Sequence, residues 1–216
     1  MKYDSLIFDM DGTLWDAVDS YVEVWNVTSR ELNIEYTVTR EDLLRHMGKT
    51  IDIIYDCLMG SSDCDRATFL KRLDLNESLL MPRLGGRLYQ GVKNGIRTLS
   101  RHYRLFMVSN CGADGLHNML RFTGLTDYFE GSLTHGETLL GKDRNIARIV
   151  TDNKLQRPLY IGDTQSDCDA AHTARVDMCH ARWGFGSCRD AELAFNSFQE
   201  LVDALTPFNR QENTEI

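Results

Sequence analysis

Short apolar runs in this chain end repeatedly in groups suited to binding charge. Leu6-Ile7-Phe8 leads into Asp9-Met10-Asp11-Gly12-Thr13-Leu14-Trp15. Arg104-Leu105-Phe106-Met107-Val108 leads into Ser109-Asn110, and Pro158-Leu159-Tyr160-Ile161 into Gly162-Asp163, with Asp167 shortly after. Runs of this length read as buried strands. Open parallel sheets bind their ligands beyond the carboxyl ends of such strands. Taken singly, each exit is ordinary: Asp-Gly after a strand is a common turn, and a serine there is usually a cap. Their shared position is the informative part. Lys142 opens a predicted helix between the last two runs. A lysine there is usually solvated, yet it lies close enough in the pattern to join them.

Several carboxylates in one cleft repel one another, so some take up protons unless a cation joins them. Oxygen ligands of this kind suit Mg²⁺, which usually takes only one or two carboxylates. Lys142 would balance the remaining charge. A phosphate would then be welcome, held by Ser109 and backbone N–H groups while the metal and lysine neutralise it. Asp9 becomes a candidate nucleophile, because carboxylates form aspartyl-phosphate intermediates. Asp11 points to the same side if the extended geometry persists. It could protonate the leaving oxygen and later deprotonate the attacking water.

The elements that must position these groups alternate, with one interruption. After the first strand, Asp16 can cap a helix whose apolar face is Val18, Tyr21, Val22 and Trp25. The pattern stays helical to about Arg83. Thr39 with Asp42 forms a predicted capping box, Gly48-Lys49-Thr50 breaks a helix, and a further helix covers about Arg66 to Leu80. Alternation resumes near Gly91, with helices over about Val92–Arg101, Asp114–Thr123, Asp143–Asp152 and Asp167–Ala174. Strands are expected between them, then near Val176–Ala181 and at the edge over Ala191–Asn196. Ser197 with Glu200 makes a second box for the last helix. Repeated β-then-α units imply a parallel sheet covered on both faces.

The composition allows such a fold and narrows the partners. With 216 residues, 42% hydrophobic and 26% charged, the chain has room for one sizeable core and a small second lobe. A net charge of −8, from 24 basic against 32 acidic residues, argues against nucleic-acid binding, which needs basic stripes. An anionic substrate must be attracted by local groups or a metal, against the global field. The cysteines at 57, 64, 111, 168, 179 and 188 form no C-x-x-C pair. Met1-Lys2-Tyr3-Asp4 runs straight into a strand and reads as no signal peptide. Reduced thiols and a cytoplasmic location are therefore expected, and no apolar stretch suits a membrane. No motif marks a dimer face, so monomer and homodimer both stay open.

The motifs resemble those of the haloacid dehalogenase superfamily of phosphohydrolases. Asp9-Met10-Asp11-Gly12-Thr13-Leu14 is close to the family's D-x-D-G-T-L, and Gly162-Asp163-Thr164-Gln165-Ser166-Asp167 copies G-D-T-x-x-D. Ser109 and Lys142 stand in order between them. The resemblance implies a Rossmann-like three-layer core over residues 1–15 and 87–216. An α-helical cap over residues 16–86 would be inserted after the first strand, as in the subgroup of phosphoglycolate phosphatase and β-phosphoglucomutase. It implies Asp9 as nucleophile and Asp11 as general acid/base. Mg²⁺ would be held by Asp9, the Asp11 carbonyl and Asp163, with Asp167 acting through water or from behind. Ser109, Asn110 and Lys142 would bind the phosphoryl group. The expected activity is hydrolysis of a small phosphorylated metabolite, with a closing cap that excludes water.

There are departures. Asp143 follows Lys142 where relatives often carry proline, and Tyr89-Gln90-Gly91 stands where many have Tyr-Pro-Gly. The second aspartate argues against dehalogenases and phosphonatases. A phosphomutase keeps both aspartates and stays as the enzymatic alternative; a silent phosphate- or metal-binding protein is the non-enzymatic one. Receiver domains share the aspartates but are shorter and lack the insert. Substrate choice is expected from the cap, with Arg45, His46 and Lys49 as candidates beside a plain reading as a basic helix end.

Overall fold

The computed structural model describes residues 2–60 and 62–207. Residues 1 and 208–216 of the expected core, and residue 61 of the expected cap, lie outside the described residues. The chain opens with β1 (Ser5–Phe8) and β2 (Trp15–Asp16), then four helices: α1 (Val18–Glu31), α2 (Arg40–Leu44), α3 (Ile51–Met59) and α4 (Arg66–Leu84). It returns through β3 (Arg87–Leu88), α5 (Val92–Leu99), β4 (Arg104–Ser109), α6 (Gly115–Thr123) and β5 (Gly131–Thr134). A short α7 (His135–Thr138), α8 (Lys142–Asp152), β6 (Pro158–Gly162) and α9 (Gln165–Thr173) follow, then β7 (Asp177–Ala181), β8 (Leu193–Phe195) and α10 (Phe198–Leu205).

Six strands form one sheet in the order β5-β4-β1-β6-β7-β8, every pair parallel. Successive strand residues point to opposite faces, and both faces are covered. Leu6 and Phe8 pack with α5 and α10, against Ile96, Phe198 and Leu201. Ile7 packs on the other face with Ile146 and Ile149 of α8 and Ala171 of α9. Central strands buried on both sides must be continuously apolar, which is why β1 reads Leu-Ile-Phe.

The four helices between β2 and β3 pack on one another around Phe69, which is fully buried with ring centroids 5.2 Å from Trp25 and 5.0 Å from Tyr55. The two crossings between this lobe and the sheet pair as a two-residue antiparallel ribbon, Trp15 with Leu88 and Asp16 with Arg87. No described helix is long and apolar enough to cross a membrane.

Several local expectations are corrected. Asp16 is not the N-cap of α1: that is Ala17, while Asp16 Oδ1 accepts from the Val18 N–H at 3.0 Å and its other oxygen pairs with Arg40. The helix α4 continues through Pro82 to Leu84. A proline there lacks one N–H, but the buried Met81 anchors the turn and accepts the Gly85 N–H at 2.9 Å. The Thr39–Asp42 box is present. At α10, Ser197 accepts from the Glu200 N–H, but the Glu200 carboxylate takes the N–H of Asn196 at 2.9 Å, one residue before the box position. The ribbon β2–β3 and α7 are too short to leave a periodic signal.

Candidate active site

The register brings the reactive groups together. Phe8 is level with Met107 and Ile161, so Asp9, Ser109 and Asp163 leave adjacent strands at the same edge. The Asp9 N–H continues the ladder to Ile161 O at 2.8 Å. The first turn of α8 delivers Lys142, whose Nζ donates to Asp9 Oδ1 at 2.8 Å and to Asp167 Oδ1 at 2.6 Å. All three side chains are buried. Asp167 sits at the N-terminal turn of α9, where Oδ2 accepts from the Thr164 N–H at 3.0 Å and its hydroxyl at 2.6 Å. The Tyr160 hydroxyl also donates to it, at 3.3 Å.

These contacts divide the carboxylates. Burial alone would raise Asp167, but Lys142 and Thr164 hold it below the usual carboxylate range. Burial lifts Asp9 to about 6, with Lys142 pulling it down and Asp167 pushing it up. Asp163 is lifted further, to about 8, by burial and by repulsion from Asp167 and Asp9. Its Oδ2 accepts the N–H groups of Phe185 and Gly186 at 2.7 and 3.3 Å, while its buried Oδ1 has no partner among the described residues.

Ligand oxygens of Asp9, Asp163 and Asp167 lie within 4.8 Å of one another. Three buried carboxylates face one ammonium, and one of them has an orphaned oxygen. That donor set fits a divalent metal, because hard oxygen ligands carrying excess negative charge are what such cations require. The space is kept by glycine: a β-carbon on Gly12 (φ +81°) would fall 2.2 Å from Asp163 Oδ2.

Asp11 is set apart. Its Oδ1 accepts from Trp15 Nε1 at 3.0 Å and its Oδ2 from the Tyr21 hydroxyl at 3.4 Å. Burial, followed by repulsion from Asp9, raises its carboxyl well above the usual range. A carboxyl whose affinity for its proton is raised in this way is suited to donating that proton to a neighbouring group.

The described lobe of helices and the sheet enclose a cleft of about 140 Å³ that includes Asp9, Asp11, Ser109, Asn110 and Lys142. Asn110 Nδ2 donates to Gly48 O at 2.8 Å, and Ser78 Oγ to Asp114 Oδ2 at 3.5 Å, and with the Tyr21–Asp11 bond these tie the helical lobe to the core. In this arrangement the amide nitrogen of Asn110 is committed to the lobe, while its buried Oδ1 has no partner among the described residues. Of the three expected specificity residues, only Lys49 lines the cleft. Arg45 reaches back to Asp42 at 3.3 Å on an exposed surface, and His46 Nδ1 meets Lys49 Nζ at 3.1 Å.

Tyr21 and the Phe185–Gly186 amides escaped the sequence reading. Tyr21 looked like one more apolar-face position. The Gly184-x-Gly186 spacing was the available signal for the amides: a β-carbon on Gly184 would lie 2.3 Å from Asp163 Cβ. Trp183 fastens that loop by donating to Thr13 O at 2.9 Å.

Fold and site together are those of a phosphatase-type hydrolase. A family model described as haloacid dehalogenase-like hydrolase matches residues 6–181, and the chain belongs to that family. It is 24% identical to the pyrophosphatase PpaX of Listeria monocytogenes over 84% of either chain. It is 25% identical to a phosphoglycolate phosphatase of Colwellia psychrerythraea, covering 93% of this chain and 96% of that one. The structure of CbbY from Rhodobacter sphaeroides in complex with phosphate shares the fold, with a TM-score of 0.80 at 16% identity, covering 92% of this chain and 96% of that one.

Proposed function

We propose that this protein is a Mg²⁺-dependent phosphatase of the cytoplasm, hydrolysing a small phosphorylated metabolite through a phospho-aspartyl intermediate on Asp9. The observation that carries the reading is the buried Asp163 Oδ1 without a partner, beside Asp9 and a single balancing lysine. Asp9, the Asp11 carbonyl and Asp163 would hold the metal, with Asp167 behind them oriented by Lys142 and Thr164. When bound, the ion would neutralise charge on the phosphoryl group.

The chain's own groups supply the remaining chemistry. Ser109, the Asn110 main-chain N–H and Lys142 bind the phosphoryl oxygens, the Asn110 side-chain amide being taken by Gly48 O. The Asp9 carboxylate attacks phosphorus, and the bond to the leaving oxygen breaks as Asp11 delivers its proton there. In the second half, Asp11 takes a proton from water, the water oxygen attacks phosphorus, and Asp9 is released. Trp15 and Tyr21 hold Asp11 in place for both transfers.

Phosphate release from a set of simple phosphomonoesters checks this reading. Release is expected with Mg²⁺, is expected to stop on adding a chelator, and is expected to return when Mg²⁺ is restored in excess. Release that persists unchanged in chelator would contradict it.

A further inference from the structure

The roof of the cleft carries two carboxylates above the floor assigned to the phosphoryl group. Along α4, the side chains of Leu70, Leu73, Asp74, Glu77, Ser78 and Met81 line it, a stripe at the three- and four-residue spacing of one helix face. Two of these are carboxylates that converge on the core loop just past Ser109. A β-carbon placed on Gly112 would meet Glu77 Oε2 at 3.5 Å and Asp74 Oδ1 at 4.0 Å. The Glu77 carboxylate therefore lies close to Gly112, which stands three residues beyond Ser109.

Among the described residues Glu77 makes no hydrogen bond and no ion pair, and burial with Asp74 beside it pushes its carboxyl up to about 7. The cations of the cleft lie elsewhere. Lys142 belongs to Asp9 and Asp167, and Lys49 meets His46. An unpartnered carboxylate in a partly desolvated cleft is costly, and a positive group on a ligand would relieve that cost. A carboxylate or second phosphate there would meet two like charges instead. Beside Lys49 and Ser78, most of the remaining roof is apolar, with Trp25, Leu43, Ile51, Ile54, Leu70 and Leu73, so the body joining the two ends is apolar and, in a cleft of about 140 Å³, small.

We infer that Glu77, with Asp74 beside it, is the subsite for an ammonium group, and that the substrate is a phosphomonoester of a small amino alcohol. This rests on the phosphatase reading for the site, and it departs from the anionic substrates named for the relatives.

Three length-matched esters test it: aminopropyl, hydroxypropyl and carboxyethyl phosphate. Wild-type kcat/KM for the amine is expected to exceed that for the hydroxyl ester by about tenfold or more, with the carboxylate ester poorest. In Glu77→Gln the amine-to-hydroxyl ratio is expected to fall to within about twofold of one. Equal or better use of the neutral or anionic ester by the wild type would overturn the inference, as would an undiminished amine preference in Glu77→Gln. Calorimetric binding of the same esters to Asp9→Asn with Mg²⁺ separates the two claims. Preferential amine binding supports the subsite even if the wild type hydrolyses nothing, an outcome that would sink only the phosphatase reading. No preference in binding overturns the subsite by itself.

Discussion

Replacing Asp9 with asparagine is expected to remove phosphate release, by at least about ten-thousand-fold, while the protein stays folded. The amide has the shape of the carboxylate but not its charge or nucleophilicity. The neighbouring carboxylates are engaged: Asp11 accepts from Trp15 and Tyr21, Asp163 is tied by the Phe185 and Gly186 amides, and Asp167 is occupied by Lys142 and Thr164. The fold should tolerate the change, because the β1 main chain and its flanking side chains are untouched. Phosphate release measured beside circular dichroism and thermal unfolding checks both halves. Turnover near the wild-type rate in a folded Asp9→Asn would end the nucleophile assignment.

The second large effect is expected at Lys142. Among the described residues its ammonium is the one positive side chain paired with Asp9 and Asp167, at 2.8 and 2.6 Å, and it is 3% exposed. Lys142→Met keeps the length and removes the charge. Breaking a buried pair from one side leaves an uncompensated charge, with a cost of about 3–5 kcal/mol. The transferring phosphoryl group also loses a cation, and a drop of roughly a hundredfold or more in kcat/KM follows. Denaturant unfolding and steady-state kinetics on one preparation read the two effects. A variant as stable and as active as the wild type would show that Lys142 neither balances the cluster nor binds phosphate.

How much of this was legible in the sequence depends on the range of each interaction. The strands that carry Asp9, Ser109 and Asp163 could be read because a strand buried on both faces must be apolar throughout, and Leu6-Ile7-Phe8 and Leu159-Tyr160-Ile161 show it plainly. The Thr39–Asp42 box could be read because both partners lie within one turn. The hinge ribbon could not: Trp15 and Leu88 pair across the whole helical lobe, and two residues give no period. Asp16 looked like a cap from its spacing, but its second oxygen is claimed by Arg40 from α2. Arg45 and His46 drew attention as local charge, and only the three-dimensional path of the Leu44–Thr50 segment separates Lys49 from them. Glu77 was invisible for the opposite reason, since a glutamate in a long helix usually faces water, and α4 turns this one toward the cleft.

The phosphoryl group's passage through Asp9 is tested most directly in Asp11→Asn. Acetyl phosphate has a leaving group that needs no proton, so it can still phosphorylate Asp9 in this variant, while the water step is left without its base. Acid quenching followed by peptide mass spectrometry is expected to find one phosphoryl group per chain on the peptide carrying Asp9, formed only with Mg²⁺ and absent when Asp9 is also asparagine. Phosphate release without that adduct, or an adduct on another residue, would contradict the account.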